Sequence, residues 1–390
     1  MEQVRYGIIG MGNQGNYYAK LFSEGKIENG KLSAMCDNDP RKLERAKQKY
    51  GADFRYFDNY TDMLQSGECD AVLVETPHYA HPGIVSDCLK SNIHVICDKP
   101  AGVYTAQVRE MNAVAGKSSA KFGMMFNQRT NCLYRKMREM IADGAVGEIQ
   151  RVVWIITNWF RTQAYYDSGS WRATWAGEGG GVLINQCPHQ IDLFQWVTGM
   201  MPQTARAICH YGKWHDIEVE DDVTAYFDYA NGATGVFITT TGEAPGTNRF
   251  EVSGSKGKLL CEDNQLFYFR NERDSAEVLR TSEKGFDTPK CEKILVETDG
   301  ENPQHAGIIN NFSRAVLGLE EQFVKGTDGI NGVELMNAIE LSGWKDGAAV
   351  SLPVDETEYL SELRKRAATS RLKTGNAAFV ADTSGSFGTK

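Results

Sequence analysis

Val4-Arg5-Tyr6-Gly7-Ile8-Ile9-Gly10-Met11-Gly12-Asn13-Gln14-Gly15 decides the fold of the first half of this chain. An apolar run of strand character leads straight into G-x-G-x-x-G, and a helical pattern over 16–22 follows at once, the context that gives the glycine spacing its meaning. Gly10 permits a tight turn, Gly12 lets backbone amides approach a pyrophosphate, and Gly15 allows close packing of helix on strand. The helix N-terminus adds partial positive charge for an anion. On this reading Gly10, Met11, Gly12, Asn13, Gln14 and Gly15 hold a dinucleotide. The competing reading is an ordinary glycine turn between a strand and a helix.

Outward from this turn, apolar runs at 5–9, 31–36, 70–75, 93–97 and 121–126 are separated by amphipathic stretches, the rhythm of βαβ units around a parallel sheet. A doubly wound α/β domain is therefore expected over 1–127. Asp37 ends the second run, where its carboxylate can accept hydrogen bonds from ribose hydroxyls, and Asn38 follows it. This favours NAD. Asp37 and Asp39 would repel a 2′-phosphate, although Arg41 and Lys42 keep NADP as the alternative, and Asp37 also suits a helix N-cap before Pro40.

The 390 residues are too many for one core, and 41% apolar with 24% charged residues excludes a disordered or fibrous chain. A formal charge of −9 gives no general attraction to nucleic acid or anionic lipid. No apolar stretch is long enough to span a membrane and no secretion signal is evident, so a cytoplasmic protein is expected. The 9 cysteines form no C-x-x-C pair and read as reduced thiols. The histidines show no metal-binding spacing, so no metal is expected.

From about residue 148 the texture changes to β-rich segments at 150–159, 205–211, 222–229, 234–241, 249–253 and 258–260. Turn signals at Asn231-Gly232 and 254–257 suit antiparallel hairpins. An α+β domain with an open, largely antiparallel sheet is expected over 128–350. Helical patterns return at 305–317 and 332–348. A C-terminal helix over 351–368 is expected to pack back on the body. The Ser-, Thr-, Gly- and Ala-rich end, 369–390, reads as a tail or an arm.

With the glycine turn, Cys97-Asp98-Lys99-Pro100 after a strand, and Gly179-Gly180-Gly181 leading to Asn185 and His189, the chain resembles the Gfo/Idh/MocA oxidoreductase family over about residues 4–350. The resemblance implies a Rossmann domain, a second domain carrying the substrate site, and a homo-oligomer, dimer or tetramer. Lys99 matches the lysine of the family's E-K-P motif, with Asp98 in place of the glutamate. His189 matches the histidine usually assigned as proton acceptor. Asn185 stands where the family has an aspartate. Thr76, Pro77, His78, His81 and Asn127 resemble residues bordering the cofactor, while Arg129, Trp171 and Arg172 resemble ones near the substrate.

Oxidising a secondary alcohol needs both a cation for the developing alkoxide and a base for its proton. Lys99 at the carboxyl end of a parallel strand would point into the ligand crevice of a doubly wound fold. A solvated lysine is the bland alternative for it, and a core histidine is the alternative for His189. Asn185 and His189, four apart, would share a helix face that Pro188 must start or kink. The aromatic density from Trp154 to Trp175, with Asn158 and Arg172 for hydroxyls, suggests a neutral sugar, glycoside or cyclic polyol, although Trp154 is as well placed for sheet packing. The expected activity is oxidation of a ring hydroxyl, in the glycoside case at the 3-position. An NAD-retaining glycosidase or lyase, an inositol dehydrogenase and a non-enzymatic sugar or nucleotide sensor are the alternatives.

Overall fold

The computed structural model describes residues 2–371, so all but the first three residues of the expected tail 369–390 lie outside the described residues. The chain forms two compact units. One holds the described residues up to Asn127 together with Pro303–Val333, and the other holds Gln128–Asn302 together with the described residues from Glu334.

In the first unit, β1 (Val4–Ile9), β2 (Gly30–Cys36), β3 (Arg55–Phe57), β4 (Ala71–Val74), β5 (His94–Cys97) and β6 (Phe122–Met124) make one parallel sheet. Its order is β3-β2-β1-β4-β5-β6, the doubly wound arrangement that the alternating pattern predicts. Helices cover both faces, which is why Ile8, Val72, Leu73, Val95 and Ile96 are all fully buried and the strands read as unbroken apolar runs. The helix Pro40–Tyr50 shows how local chemistry sets the boundaries. Asp39 caps it by accepting from the Arg41 amide, Pro40 opens it, and Gly51 ends it at φ 88°.

The expected division assigned 128–350 to a single body, whereas Pro303–Val333 groups with the first unit. The reason is packing. The helix Gln304–Val316 buries Ile308, Ile309 and Phe312, and a Cβ added to Gly123 would stand 3.1 Å from the Phe312 ring. The buried Tyr6 hydroxyl meets Ser313 Oγ at 2.8 Å, and Gln322 Nε2 donates to the Phe122 carbonyl at 2.6 Å. The segment therefore completes the layer over the sheet of the first unit.

The second unit contains nine strands: β7 (Ile149–Ile156), β8 (Thr204–Tyr211), β9 (Glu220–Asp228), β10 (Thr234–Thr240), β11 (Asn248–Gly254), β12 (Gly257–Glu262), β13 (Gln265–Asn271), β14 (Cys291–Leu295) and β15 (Val350–Ser351). They lie in the order β14-β13-β12-β11-β7-β10-β9-β8-β15. Every neighbouring pair is antiparallel except β7 with β10. Alternation sorts the faces: Val223, Ala225 and Phe227 point inward from β9, while Thr224 and Tyr226 point out. The inner face packs on the helix Pro188–Thr198. Phe194 lies 5.5 Å from Phe227, and Trp154 stacks on Phe250 at 4.2 Å. Truncating an aromatic here, such as Phe194→Ala, costs about 3–5 kcal/mol. Among the described residues no helix is long and apolar enough to cross a membrane.

Candidate active site

The glycine turn joins β1 to the helix Asn13–Ser23. Gly10 has φ 104°, and a Cβ there would lie 2.4 Å from the Glu75 carbonyl oxygen. A Cβ on Gly15 would lie 2.0 Å from the Gly10 carbonyl, so only glycine lets this helix sit against the turn, whereas Gly12 faces open space. The first helical turn carries no acidic side chain to compete with a bound anion. Asp37, 5% exposed at the end of β2, accepts the Met11 amide at 2.8 Å and the Asp39 amide at 2.9 Å. Its carboxylate thus holds the turn in shape from below. Lys42 Nζ stands 3.3 Å from Asp37, and Arg41 pairs with Asp39 at 2.8 Å. Both cations that would greet a 2′-phosphate already face carboxylates.

Beyond β4, the Thr76 hydroxyl is buried with no hydrogen-bond partner among the described residues, a polar group that fits a ligand oxygen. Pro77 is exposed and His78 is buried at the start of a short helical turn. His81 has another part than contact with a cofactor. It is 1% exposed, and its ring nitrogens lie 2.8 Å from the Pro100 carbonyl oxygen and 2.7 Å from that of Thr76. It staples the loop after β4 to the one after β5.

Lys99 follows β5 on that second loop, half-buried at the carboxyl edge of the parallel sheet. Its charge acts on Glu75, Asp98 and His305, and on the buried His81, which burial chiefly pushes down. Burial pushes the Glu75 carboxyl well up, and the neighbouring Asp98 charge adds to the rise, while Lys99 opposes it. Burial also raises Asp98, again against Lys99. His305 is pushed down to about 4 by burial and then by Lys99, and its ring packs against Tyr17 at 5.3 Å and Tyr18 at 5.6 Å. Asn127 donates to the Gln304 side chain beside it. His305 and Gln304 arrive on the returning segment, and only their place in space ties them to Lys99.

In the second unit, Trp171, Arg172 and Asn185 come together around Tyr165. Arg172 lies 4.7 Å from the centroids of both the Trp171 and Tyr165 rings, and donates to the Tyr165 hydroxyl at 2.9 Å. Gln186 Nε2 donates to the same oxygen at 3.2 Å, and that hydroxyl donates to Asn185 Oδ1 at 3.4 Å. The Asn185 amide donates in turn to Glu178, which is 2% exposed and also accepts the Ala173 amide at 2.6 Å. The carboxylate expected at 185 therefore enters one turn earlier, from Glu178.

The helix that carries His189 begins at Pro188, so Asn185 lies in the preceding turn rather than one helical turn below His189 as the spacing suggested. Proline has no amide to donate and starts the helix instead of kinking it. His189 is half-buried in the first turn. Arg129, expected near substrate, is 2% exposed and makes a two-pronged pair with Asp192 of this helix at 2.7 and 2.6 Å. That geometry makes it an anchor for the helix rather than a group for substrate hydroxyls. Asn158 is exposed on the loop after β7. Trp154, Tyr166 and Trp175 are core residues, leaving Trp159, Phe160, Tyr165 and Trp171 as the accessible rings of the set.

Residues 4–126 match the model of an oxidoreductase family with an NAD-binding Rossmann fold, and residues 134–260 match a GFO/IDH/MocA C-terminal domain. The chain belongs to the Gfo/Idh/MocA oxidoreductase family. An inositol 2-dehydrogenase of Rhizobium meliloti is 25% identical over 86% of this chain and 95% of its own length. A myo-inositol 2-dehydrogenase of Thermotoga maritima is 26% identical over 67% of this chain and 75% of its own. The crystal structure of the WlbA dehydrogenase from Chromobacterium violaceum, in complex with NADH and UDP-GlcNAcA, has a TM-score of 0.77 at 25% identity, covering 91% of this chain and 97% of that one.

As a Gfo/Idh/MocA member the protein is an NAD-dependent oxidoreductase acting on CH–OH groups. The cradle fits that cofactor: an open Gly12 at a helix N-terminus, a carboxylate under the turn, and an orphaned Thr76 hydroxyl at the carboxyl edge of the sheet. Glu75, Glu178 and His305 were not singled out as functional in the sequence. For Glu178, the unbroken run Glu178-Gly179-Gly180-Gly181 ahead of Asn185 was the available signal.

Proposed function

We propose that the protein oxidises a ring secondary hydroxyl of a sugar, glycoside or cyclic polyol to the ketone. Lys99 stabilises the alkoxide as it forms, and His189 accepts the hydroxyl proton. The observation that carries this reading is the position of Lys99 at the carboxyl edge of the parallel sheet. It follows β5, which pairs with β4, which pairs with the β1 strand that feeds the glycine turn. Bound NAD supplies the acceptor for the hydride. Thr76, His78, Asn127 and the turn from Gly10 to Gly15 orient the cofactor, with Asp37 and Asn38 on its ribose side.

Lys99 acts by charge: an ammonium beside the reacting oxygen contributes roughly 3–4 kcal/mol of stabilisation to the alkoxide-like transition state. The His189 imidazole, in its neutral form, takes the proton. Tyr165, Trp171 and Arg172 offer two ring faces and a fixed guanidinium for a cyclic polyol, and Asn185 adds an amide held in one orientation by Glu178 and Tyr165.

The inositol alternative gains weight from the two inositol dehydrogenases among the relatives. The test is a panel of myo-inositol, free aldoses and glucosides, each incubated with NAD while reduced nicotinamide is followed by absorbance. Accumulation with one member supports the reading and names the substrate. Glycosidic cleavage without added NAD replaces it with the NAD-retaining lyase. A homo-oligomer is part of the proposal, supported by Ile208 and Tyr226, exposed on the outer face of the nine-stranded sheet.

A further inference from the structure

Beneath the turn that leads to Asn185 and His189 lies a second pair of carboxyls, Glu220 and Glu340, which nothing in the proposed reaction uses. Glu220, at the start of β9, is 0% exposed, and its Oε1 accepts the Gly181 amide at 2.8 Å and the Leu183 amide at 3.1 Å. The Gly181 and Val182 stretch is fixed further by the Val182 amide, which donates to the Glu220 carbonyl at 2.9 Å. Glu340, 1% exposed on the helix Gly329–Trp344, accepts the Tyr359 hydroxyl on Oε2. A Cβ on Gly180 would stand 2.6 Å from Glu340 Oε1, so the two carboxyls lie against adjacent glycines, Gly180 and Gly181.

Each carboxyl has one oxygen left over. Glu220 Oε2 and Glu340 Oε1 are buried with no hydrogen-bond partner among the described residues. Two ionised carboxylates cannot share such a site, because burial and mutual repulsion both disfavour the second charge. Burial raises both groups, and the Glu220 charge pushes Glu340 up further. The surroundings add no strong counter-charge. Glu178 also repels Glu220, while Cys209 and Tyr211 on β8 and Asp222 on β9 are neutral or acidic. Arg366, on the helix Glu356–Ala368, is the cation acting on Glu340 among the described residues, and it is already bonded to Glu362 at 2.9 Å.

We infer that Glu220 and Glu340 share a single proton and act as positioning residues for the turn 179–183, and through it for Asn185 and His189, so that the turn loosens when the proton leaves. Whichever of the two carboxyls carries the proton, the buried pair then holds one negative charge instead of two. Glu220 Oε1 and Glu340 Oε2 keep the Gly181 and Leu183 amides and the Tyr359 hydroxyl. The sign follows from linkage: the folded pair retains a proton that the unfolded chain has lost, so its stabilising contribution is complete below the ordinary carboxylate range and disappears as pH rises through neutrality. The single proton follows from the two unpartnered buried oxygens of the carboxyls beside Gly180 and Gly181. Its effect on His189 rests on the reaction proposed above.

The experiment compares the full chain with Glu340→Gln and Glu220→Gln. Each amide keeps the shape and supplies a permanent N–H in place of the shared proton. Thermal melts at a series of pH values, without substrate, should show Tm of the wild type falling as pH passes neutrality, and a flat profile over the same range in both variants. Infrared difference spectra should show a protonated carboxyl band in the wild type that Glu340→Gln removes. With the substrate found by the panel, KM of the wild type should rise about tenfold per pH unit over that range, as expected for loss of one proton. In Glu340→Gln it should stay level, with kcat little changed in either protein. An alkaline fall in Tm that persists unaltered in both amide variants overturns the shared proton. Flat melts in the variants together with an unchanged KM profile overturn only its link to His189.

Discussion

Glu178 accepts the side-chain amide of Asn185 on one carboxylate oxygen and the Ala173 amide on the other. The neutral residue at 185 is thereby explained: a carboxylate there would face Glu178 across a hydrogen-bond distance in a buried setting, where two charges repel strongly. Asn185→Asp should therefore lower Tm at neutral pH, with recovery on acidification as one carboxyl takes a proton. The double change Glu178→Gln with Asn185→Asp restores one charge and one amide and should regain most of the lost stability. Melts of the three variants against pH check this, and an Asn185→Asp protein as stable as the wild type at neutral pH would contradict it.

Removing the ammonium isolates the charge that the reaction needs. Lys99→Ala should reduce kcat by about a hundred- to a thousandfold, the scale of losing one group aimed at a developing oxyanion. NAD binding, followed by quenching of protein fluorescence, should change little. His189→Ala should cost roughly a hundred- to ten-thousandfold, and the loss should shrink as pH rises and solvent takes the proton unaided. Turnover within twofold of wild type in Lys99→Ala would end its assignment.

Asp37 does two things at once, because the carboxylate that faces the ribose side also holds the Met11 amide. Asp37→Ala should weaken NAD through both, but NADP less, since Lys42 is released from its pair at the same time. The ratio of the two Kd values should move toward NADP by about tenfold, some 1.4 kcal/mol. Equal losses for both cofactors would leave Asp37 only its part in shaping the turn.

Arg129 and Asp192, 2% and 1% exposed at their side chains, form an ion pair that cannot lose one member cheaply. Arg129→Ala strands a buried carboxylate and should cost about 3–5 kcal/mol of stability in urea unfolding. Replacing both with apolar residues of similar volume should recover much of that loss. Full recovery of activity in the stable double variant would confirm that Arg129 only anchors the helix of His189.

His305 gives the protein an acid limb. Its pKa, lowered to about 4, means that the neutral ring is favoured in the fold. Its contribution is present above the ordinary histidine value near 6.5 and is lost as pH falls toward 4, by at most about 3 kcal/mol. His305→Gln should flatten Tm between those values. A wild-type acid limb unchanged in that variant assigns the loss to other groups.

The sequence made the parallel sheet legible because β1, β2, β4 and β5 are largely buried and announce themselves as apolar runs followed by glycine, aspartate or glutamate. β13 was not read, although Asp263 and Asn264, at φ 51° and 57°, make the tight hairpin turn that precedes it, because the asparagine-glycine signature of such turns is absent. The residues of the glycine turn, Asp37 and Lys99 were readable from their position after strands. The roles of Arg129, His81 and His305 were not. Each depends on a partner far along the chain, Asp192, Pro100 and Lys99 respectively, and no local period encodes a long-range contact.

The detached segment Pro303–Val333 has a consequence for how this molecule is made. A ribosome that has released residues 1–127 has delivered every strand of the nucleotide-binding sheet, yet Phe312 and Ser313 are still unsynthesised, and Tyr6 and Gly123 lack their cover. The sheet must wait, partly bare, while the whole intervening body is translated. A gene fragment cut at 127 should for that reason yield aggregating material, and the same fragment supplied with a peptide spanning 303–333 should stay in solution.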